Sequence, residues 1–162
     1  MNRFENLVGK SPVETELRVI ERPIHPDAAI AMAFWQGRPA DGIRIGRDLP
    51  CRAVARLLSR IAVCEPVQGG GDYRIQLAGG AIDQRLGRSV AGRCLSEVFD
   101  EPTEFAVRRD GLNGVIAADA PRMMRIVYRC GSVELLRHEA VALPVTAPNG
   151  TDRWALVFAL YF

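Results

Sequence analysis

The sequence predicts an α+β fold: a five-stranded antiparallel sheet with short helices over one face and a helical cap on its N-terminal side. Three observations lead there. The apolar repeat changes from period 3.6 to period 2 near residue 60, which marks a passage from helix to strand. The β-prone runs fall in two groups, two before a block of short helices and three after it, and an antiparallel sheet closed by that block satisfies such an order. The third is size: 162 residues, 48% hydrophobic and 25% charged, suit one domain with its own core and leave no room for an attached kinase or cyclase module. The chain therefore divides into an arm over 1–26, a helical cap over 27–60 and a core over 61–162.

In the arm, Pro12, Pro23 and Pro26 interrupt any long helix. Asp27 to Gly37 then begins on a capping residue, is alanine-rich, and stacks Ile30 over Phe34 and Ala31 over Trp35, so a short amphipathic helix is expected. Residues 38–48 carry glycine and proline punctuation and read as a loop. After Pro50, which suits a first helical turn, Val54, Leu57, Leu58 and Ile61 mark a second helix. Its other face holds Arg52, Arg56 and Arg60, a spacing expected of a solvated face and also able to meet an acidic partner.

A hairpin follows: Ile61 to Val67 and Tyr73 to Leu77 flank Gly69-Gly70-Gly71-Asp72, a tight reversal. Short helices are expected over Gly79 to Gly87 and Val90 to Phe99. A longer one over Glu101 to Ala118 places Phe105, Leu112, Val115 and Ile116 on a stripe, with Gly111 and Gly114 expected to loosen or break it. Three strands close the chain: RMMRIVYR, VELLRHEAVALPV and WALVFALYF, the last two joined through APNGTD.

Charge excludes a nucleic-acid partner. The 21 basic and 19 acidic residues are interleaved, leaving +2; only Lys10 is lysine, so arginine supplies the rest. No apolar stretch has the length of a signal sequence or membrane span, so a cytoplasmic location is expected. Cys51, Cys64, Cys94 and Cys130 form no CxxC pair and read as buried free thiols.

Catalytic signatures are missing their defining residues. Gly87-Arg88-Ser89-Val90-Ala91 has alanine where a nucleophile elbow needs its second glycine, and Ser89 reads as a helix cap. The triple glycine lacks the lysine and hydroxyl of a P-loop and leads into a strand. His25 lies between prolines; His138 and Glu139 are strand neighbours and point to opposite faces, so they make no dyad. His138 is expected to be a hydrogen-bonded structural histidine, with haem ligation requiring that it face a cavity.

Tyr73-Arg74-Ile75-Gln76-Leu77-Ala78-Gly79, followed by Leu86-Gly87-Arg88-Ser89-Val90-Ala91-Gly92-Arg93-Cys94-Leu95-Ser96-Glu97-Val98-Phe99, resembles a PAS domain, most nearly the stand-alone single-domain PAS proteins of bacteria. Trp35, Gly46-Arg47 with Pro50, and Leu143-Pro144 match the same pattern in order, so the resemblance spans about residues 28 to 162. It implies a sensor or adaptor domain whose sheet curls around a small pocket roofed by the helices, with a signalling protein as partner and no encoded effector. Flavin is not expected, because Gly92-Arg93-Cys94-Leu95-Ser96-Glu97 lacks the asparagine of the blue-light motif and its cysteine comes one residue early. Haem is not expected either, since the 101–118 helix has no histidine.

What remains is a small apolar ligand or a filled core. Alternation predicts that Tyr73, Ile75, Leu77, Met124, Ile126, Tyr128, Trp154, Leu156 and Phe158 share the concave face, with Phe105 and Leu112 opposite. The last strand is apolar at its other positions too, so Val157, Ala159 and Tyr161 are expected on an outer face covered by Phe34 and Trp35 or by a second copy in a homodimer. The rival from another class is a small isomerase-like enzyme with Asp83 or Glu139 as general base.

Overall fold

In a computed structural model, residues 12–162 are described. Residues 1–11 of the expected arm lie outside them. The architecture is α+β, and the sheet has six strands where five were expected. In chain order the elements are β1 (Glu14–Ile20), α1 (Ala28–Gln36), a 3-10 segment (Arg52–Arg60), β2 (Ile61–Val67), β3 (Asp72–Ala78), α2 (Gly80–Leu86), α3 (Leu95–Val98), α4 (Pro102–Ala118), β4 (Arg122–Cys130), β5 (Val133–Thr146) and β6 (Arg153–Tyr161). All neighbours are antiparallel, in the order β1-β4-β5-β6-β2-β3. None of the described helices is long and apolar enough to cross a membrane.

The extra strand is β1, inside the segment read as an arm. It pairs with β4 from Glu14 opposite Arg129 to Ile20 opposite Met123, and Leu17 packs against the core. An edge strand buries little, and glutamate and arginine beside Leu17 and Val19 hide its alternation. The chain then crosses over the sheet end. Buried Glu139 accepts hydrogen bonds from the backbone N–H of Ile24 (2.7 Å) and His25 (2.5 Å) and pairs with Arg125 at 3.0 Å. The His25 ring meets the Tyr161 carbonyl through Nε2 at 2.9 Å and accepts from the Asp27 N–H through Nδ1 at 3.1 Å.

The helices depart from expectation in four places. Asp27 does not cap α1 through its side chain; its carboxylate pairs with Arg56 (3.3 Å) and Arg60 (3.1 Å), so the arginine face finds its acidic partner within the chain. The segment after Pro50 is a 3-10 helix rather than an α-helix, starts at Arg52, and has a non-helical residue at Val54. From Val90 to Phe99 only Leu95–Val98 is helical. The residues before it are tied to β3, with the Gly92 N–H on the Ile75 carbonyl (2.7 Å) and the Ile75 N–H on the Arg93 carbonyl (2.9 Å). Gly92, at φ 84°, makes the turn that brings this segment back.

The fourth departure is α4, which runs unbroken for 17 residues despite its glycines. Pro102 opens it and the Glu101 side chain accepts the N–H groups of Thr103 and Glu104. The glycines are sites of close approach. A Cβ at Gly111 would stand 3.1 Å from the Met124 sulfur, and one at Gly114 would collide with the Arg122 guanidinium.

The sheet carries a core on each face. On the first, β-strand residues such as Tyr73, Ile75, Met124, Ile126, Ala140, Ala142, Ala155 and Ala159 lie under α2, α3 and α4. On the second, Val141, Leu143, Val145, Leu156, Phe158 and Leu160 are covered by α1, the 38–50 loop and the 3-10 segment, and the Phe34 ring packs edge-on against Phe158 at 6.4 Å. The cysteines are free; Cys64 is buried, whereas Cys51, Cys94 and Cys130 are only partly so.

Candidate functional site

The first face does not fill. A cavity of about 670 Å³ separates the sheet from α2, α3 and α4. Its floor is a series of cross-strand neighbours: Ile126, His138 and Tyr161; then Met124, Ala140 and Ala159; then Val157 and Ala62; then Cys64 and Ile75. Alanine recurs in the middle of this floor, and side chains that short leave the space below the helices open. Ile82 and Leu86 of α2, Leu95 and Val98 near α3, and Leu112 of α4 close the apolar end.

The other end is polar. Glu104, Arg108 and Leu112 stand at i, i+4 and i+8 of α4 and all line the cavity. Glu104 is buried; its Oε1 accepts from the Tyr128 hydroxyl at 2.6 Å and from Arg108 Nη2 at 3.2 Å. Arg108 also donates to the Tyr128 hydroxyl, and its guanidinium lies over the Phe99 ring at 3.9 Å. The Arg85 guanidinium covers the Tyr161 ring at 4.8 Å. Between these groups His138 is 7% exposed, with its ring 6.3 Å from that of Tyr128 and 5.4 Å from that of Tyr161.

Burial dominates the titration of this end. It pushes the Tyr128 phenol up to about 12 and raises that of Tyr161 as well. His138 is pushed down to about 3, first by burial and then by the positive charges of Arg108 and Arg85, so its imidazole is neutral at physiological pH. Among the described residues, no group of three or more His, Cys, Asp or Glu side chains is placed to hold a metal ion.

The candidate residues separate into four groups. Ile75, Leu112, Met124, Ile126 and Tyr128 line the cavity. Tyr73 is buried in the same core and donates from its hydroxyl to Asn113 of α4 at 2.7 Å, so it supports the roof without lining the space. Phe105 packs at the margin of that core, its ring under the Arg109 guanidinium. Leu77, Trp154, Leu156 and Phe158 do not share the concave face. At Leu77 the cause is a bulge between Val63 and Cys64, which sets Leu77 opposite Val63 and leaves it 45% exposed at the sheet edge.

For β6 the two faces are exchanged. Leu156 and Phe158 stand in the second core with Trp154 against it, while Val157, Ala159 and Tyr161, expected outside at an interface, line the cavity. Both sets are apolar, so alternation separates the faces without saying which is inward. Phe34 and Trp35 cover the second face, which is therefore closed by the chain's own N-terminal helix. Val157, Ala159 and Tyr161 thus stand beneath the helices of the first face and not on an outer face of the sheet.

The rival enzyme's bases are committed elsewhere. Asp83 Oδ1 accepts the Val90 N–H at 3.1 Å and holds the turn after α2, and Glu139 faces the crossing segment at Ile24 and His25, on the sheet face opposite His138. Glu104, Arg108, Arg85 and the inward His138 were not singled out as a set. A charged i, i+4 pair in register with Leu112 was the available signal, but a surface ion pair gives the same pattern. Comparison of the chain with protein-family models, curated proteins and solved structures finds no match.

Proposed function

We propose that the chain is a PAS-type sensor domain that binds a small molecule between sheet and helices and passes its occupancy to a signalling protein through surface contacts. The cavity of about 670 Å³ carries this reading: it falls within the size range of small-molecule sites and combines an apolar floor with a few convergent polar groups. From β2 onward the order of elements also supports it, with two strands, a block of helices and three strands folded so that β2 and β6 pair side by side. Several of the motif residues that resemble PAS domains have structural work at this roof. Gly87 ends α2 at φ 76°, and the Glu97 carboxylate accepts the Cys94 N–H at 2.7 Å to open α3.

The test is native mass spectrometry and visible absorbance of the full chain, followed by a thermal-shift panel of metabolites, with Ala140→Phe as the filled-pocket variant. Ala140 sits in the middle of the floor, so the larger ring occupies the cavity. Ligands that stabilise the wild type and not the variant, with circular dichroism unchanged, are the expected result. Equal binding to both overturns the assignment of the site, and a haem or flavin absorption band replaces a colourless ligand with a cofactor.

A further inference from the structure

The two edges of the sheet are left in different states. At β3 the chain returns along the edge: the Gly92 N–H meets the Ile75 carbonyl at 2.7 Å, the Ile75 N–H meets the Arg93 carbonyl at 2.9 Å, and Arg74 bridges to Cys94. At the other edge β1 pairs with β4 and, among the described residues, with no second strand. Alternate N–H and C=O groups of an edge strand point away from its neighbour, ready to pair with another chain. Val19 adds an apolar side chain there that is 60% exposed.

Charge selects which strand fits. β1 reads Glu14-Thr15-Glu16-Leu17-Arg18-Val19-Ile20, with its acids on one side of Leu17 and its base on the other. An antiparallel copy related by a two-fold axis at Leu17 pairs all of β1: Leu17 faces Leu17, Thr15 faces Val19, Glu14 faces Ile20, and Glu16 faces Arg18 on both sides of the axis. Opposite charges facing across strands stabilise a pair and like charges oppose it. Facing side chains must share a sheet face, so the axis can move only by whole residues. Moved to Glu16 or to Arg18, it sets that charge against its own copy.

The backbone agrees with the same register. Facing residues are both odd or both even in number, so whichever set points away from β4 meets the same set in the copy. Within one chain Arg18 is paired to Glu16, with its side chain 62% exposed, and on the β4 side it faces Arg125. The copy's Glu16 supplies an acid on the open side. We propose that β1 is a self-complementary dimer edge, at which a second copy of this chain adds its own β1 antiparallel and makes the two sheets continuous. An isologous contact of this kind closes on itself after two subunits.

Sedimentation velocity of the full chain between about 1 and 100 μM tests the proposal, with circular dichroism to check each variant. The wild type is expected to dimerise in this range. Glu16→Arg and Arg18→Glu each put like charges face to face, and each alone should weaken the dimer at least about tenfold. Mixing the two variants restores opposite charges, so a heterodimer is expected from chains that are separately monomeric. In the wild type, hydrogen exchange at alternate residues of β1 should slow as concentration rises, a readout that needs no variant. A wild type that stays monomeric throughout the range overturns the proposal. A dimer that both reversals leave intact lies on another surface and overturns it too, as do variants that remain monomeric when mixed.

Discussion

The two faces of the sheet are both buried and apolar, and they are filled differently. On the face covered by α1, Val63, Leu156 and Leu143 form one cross-strand row and Ile61, Phe158 and Val141 the next, and these large side chains meet the helix directly. On the face under α2, α3 and α4 the corresponding rows hold Ala62, Ala140, Ala142, Ala155 and Ala159. Hydrophobicity marks a face as inward. Side-chain volume then decides whether what lies inside is solid or hollow, because a helix resting on larger residues at the margin cannot sink onto alanines in the middle.

The sharpest way to break this comparison is to change volume on each face. Phe158→Ala opens a hole in the solid face and should cost about 3–5 kcal/mol in chemical denaturation. Ala140→Leu adds volume to the hollow face and should change stability by less than about 1 kcal/mol, since the cavity receives it. Equal penalties for the two would remove the distinction between the faces.

Next in size is the strap that crosses the sheet end. Glu139→Gln weakens an acceptor of two backbone N–H groups and the partner of Arg125, and should destabilise by about 1–3 kcal/mol. Hydrogen exchange should show the loss first at Ile24 and His25, with the pocket face less affected.

A pH-dependent effect separates the polar end from the apolar one. His138 titrates near 3 in the fold against an ordinary 6.5, so between those pH values the unfolded chain takes up a proton that the folded chain does not. Its contribution is complete above about pH 6.5 and is lost as pH falls toward about 3. Relative to His138→Gln, the wild type should therefore lose about 1.4 kcal/mol per pH unit across that window, read from urea midpoints at stepped pH. Parallel acid limbs in the two proteins would show that the imidazole is not neutral and buried.

The smallest expected effect is at the roof. Gly111→Ala gains about 1 kcal/mol of helix propensity, but its methyl meets the Met124 sulfur, so the net gain should stay below the gain for an exposed glycine. A full gain would mean that Met124 moves aside freely.

Much of this arrangement was legible in the sequence because it depends on local chemistry. The hairpin at Gly69-Gly70-Gly71, the extent of α4, and the periods of α1 and β4 follow from backbone preference and spacing alone. The placement of Ile75, Met124, Ile126 and Tyr128 on one face also followed, since those strands alternate without ambiguity up to the bulge. The bulge itself was not visible, and one extra residue was enough to send Leu77 to the other side.

By itself, then, the sequence determined the α+β class, the order of most elements and a chain without concentrated charge. Tertiary structure alone decided that Glu14–Ile20 joins the sheet, that β6 presents Val157, Ala159 and Tyr161 to the cavity, and that Glu104, Arg108 and His138 share its polar end. The reason is the range of the interactions. Turns, caps and periods are set by neighbours within a few residues. Which apolar face is hollow, and which charges from α4 and β5 converge there, depends on contacts between residues dozens of positions apart, such as Arg108 with Tyr128.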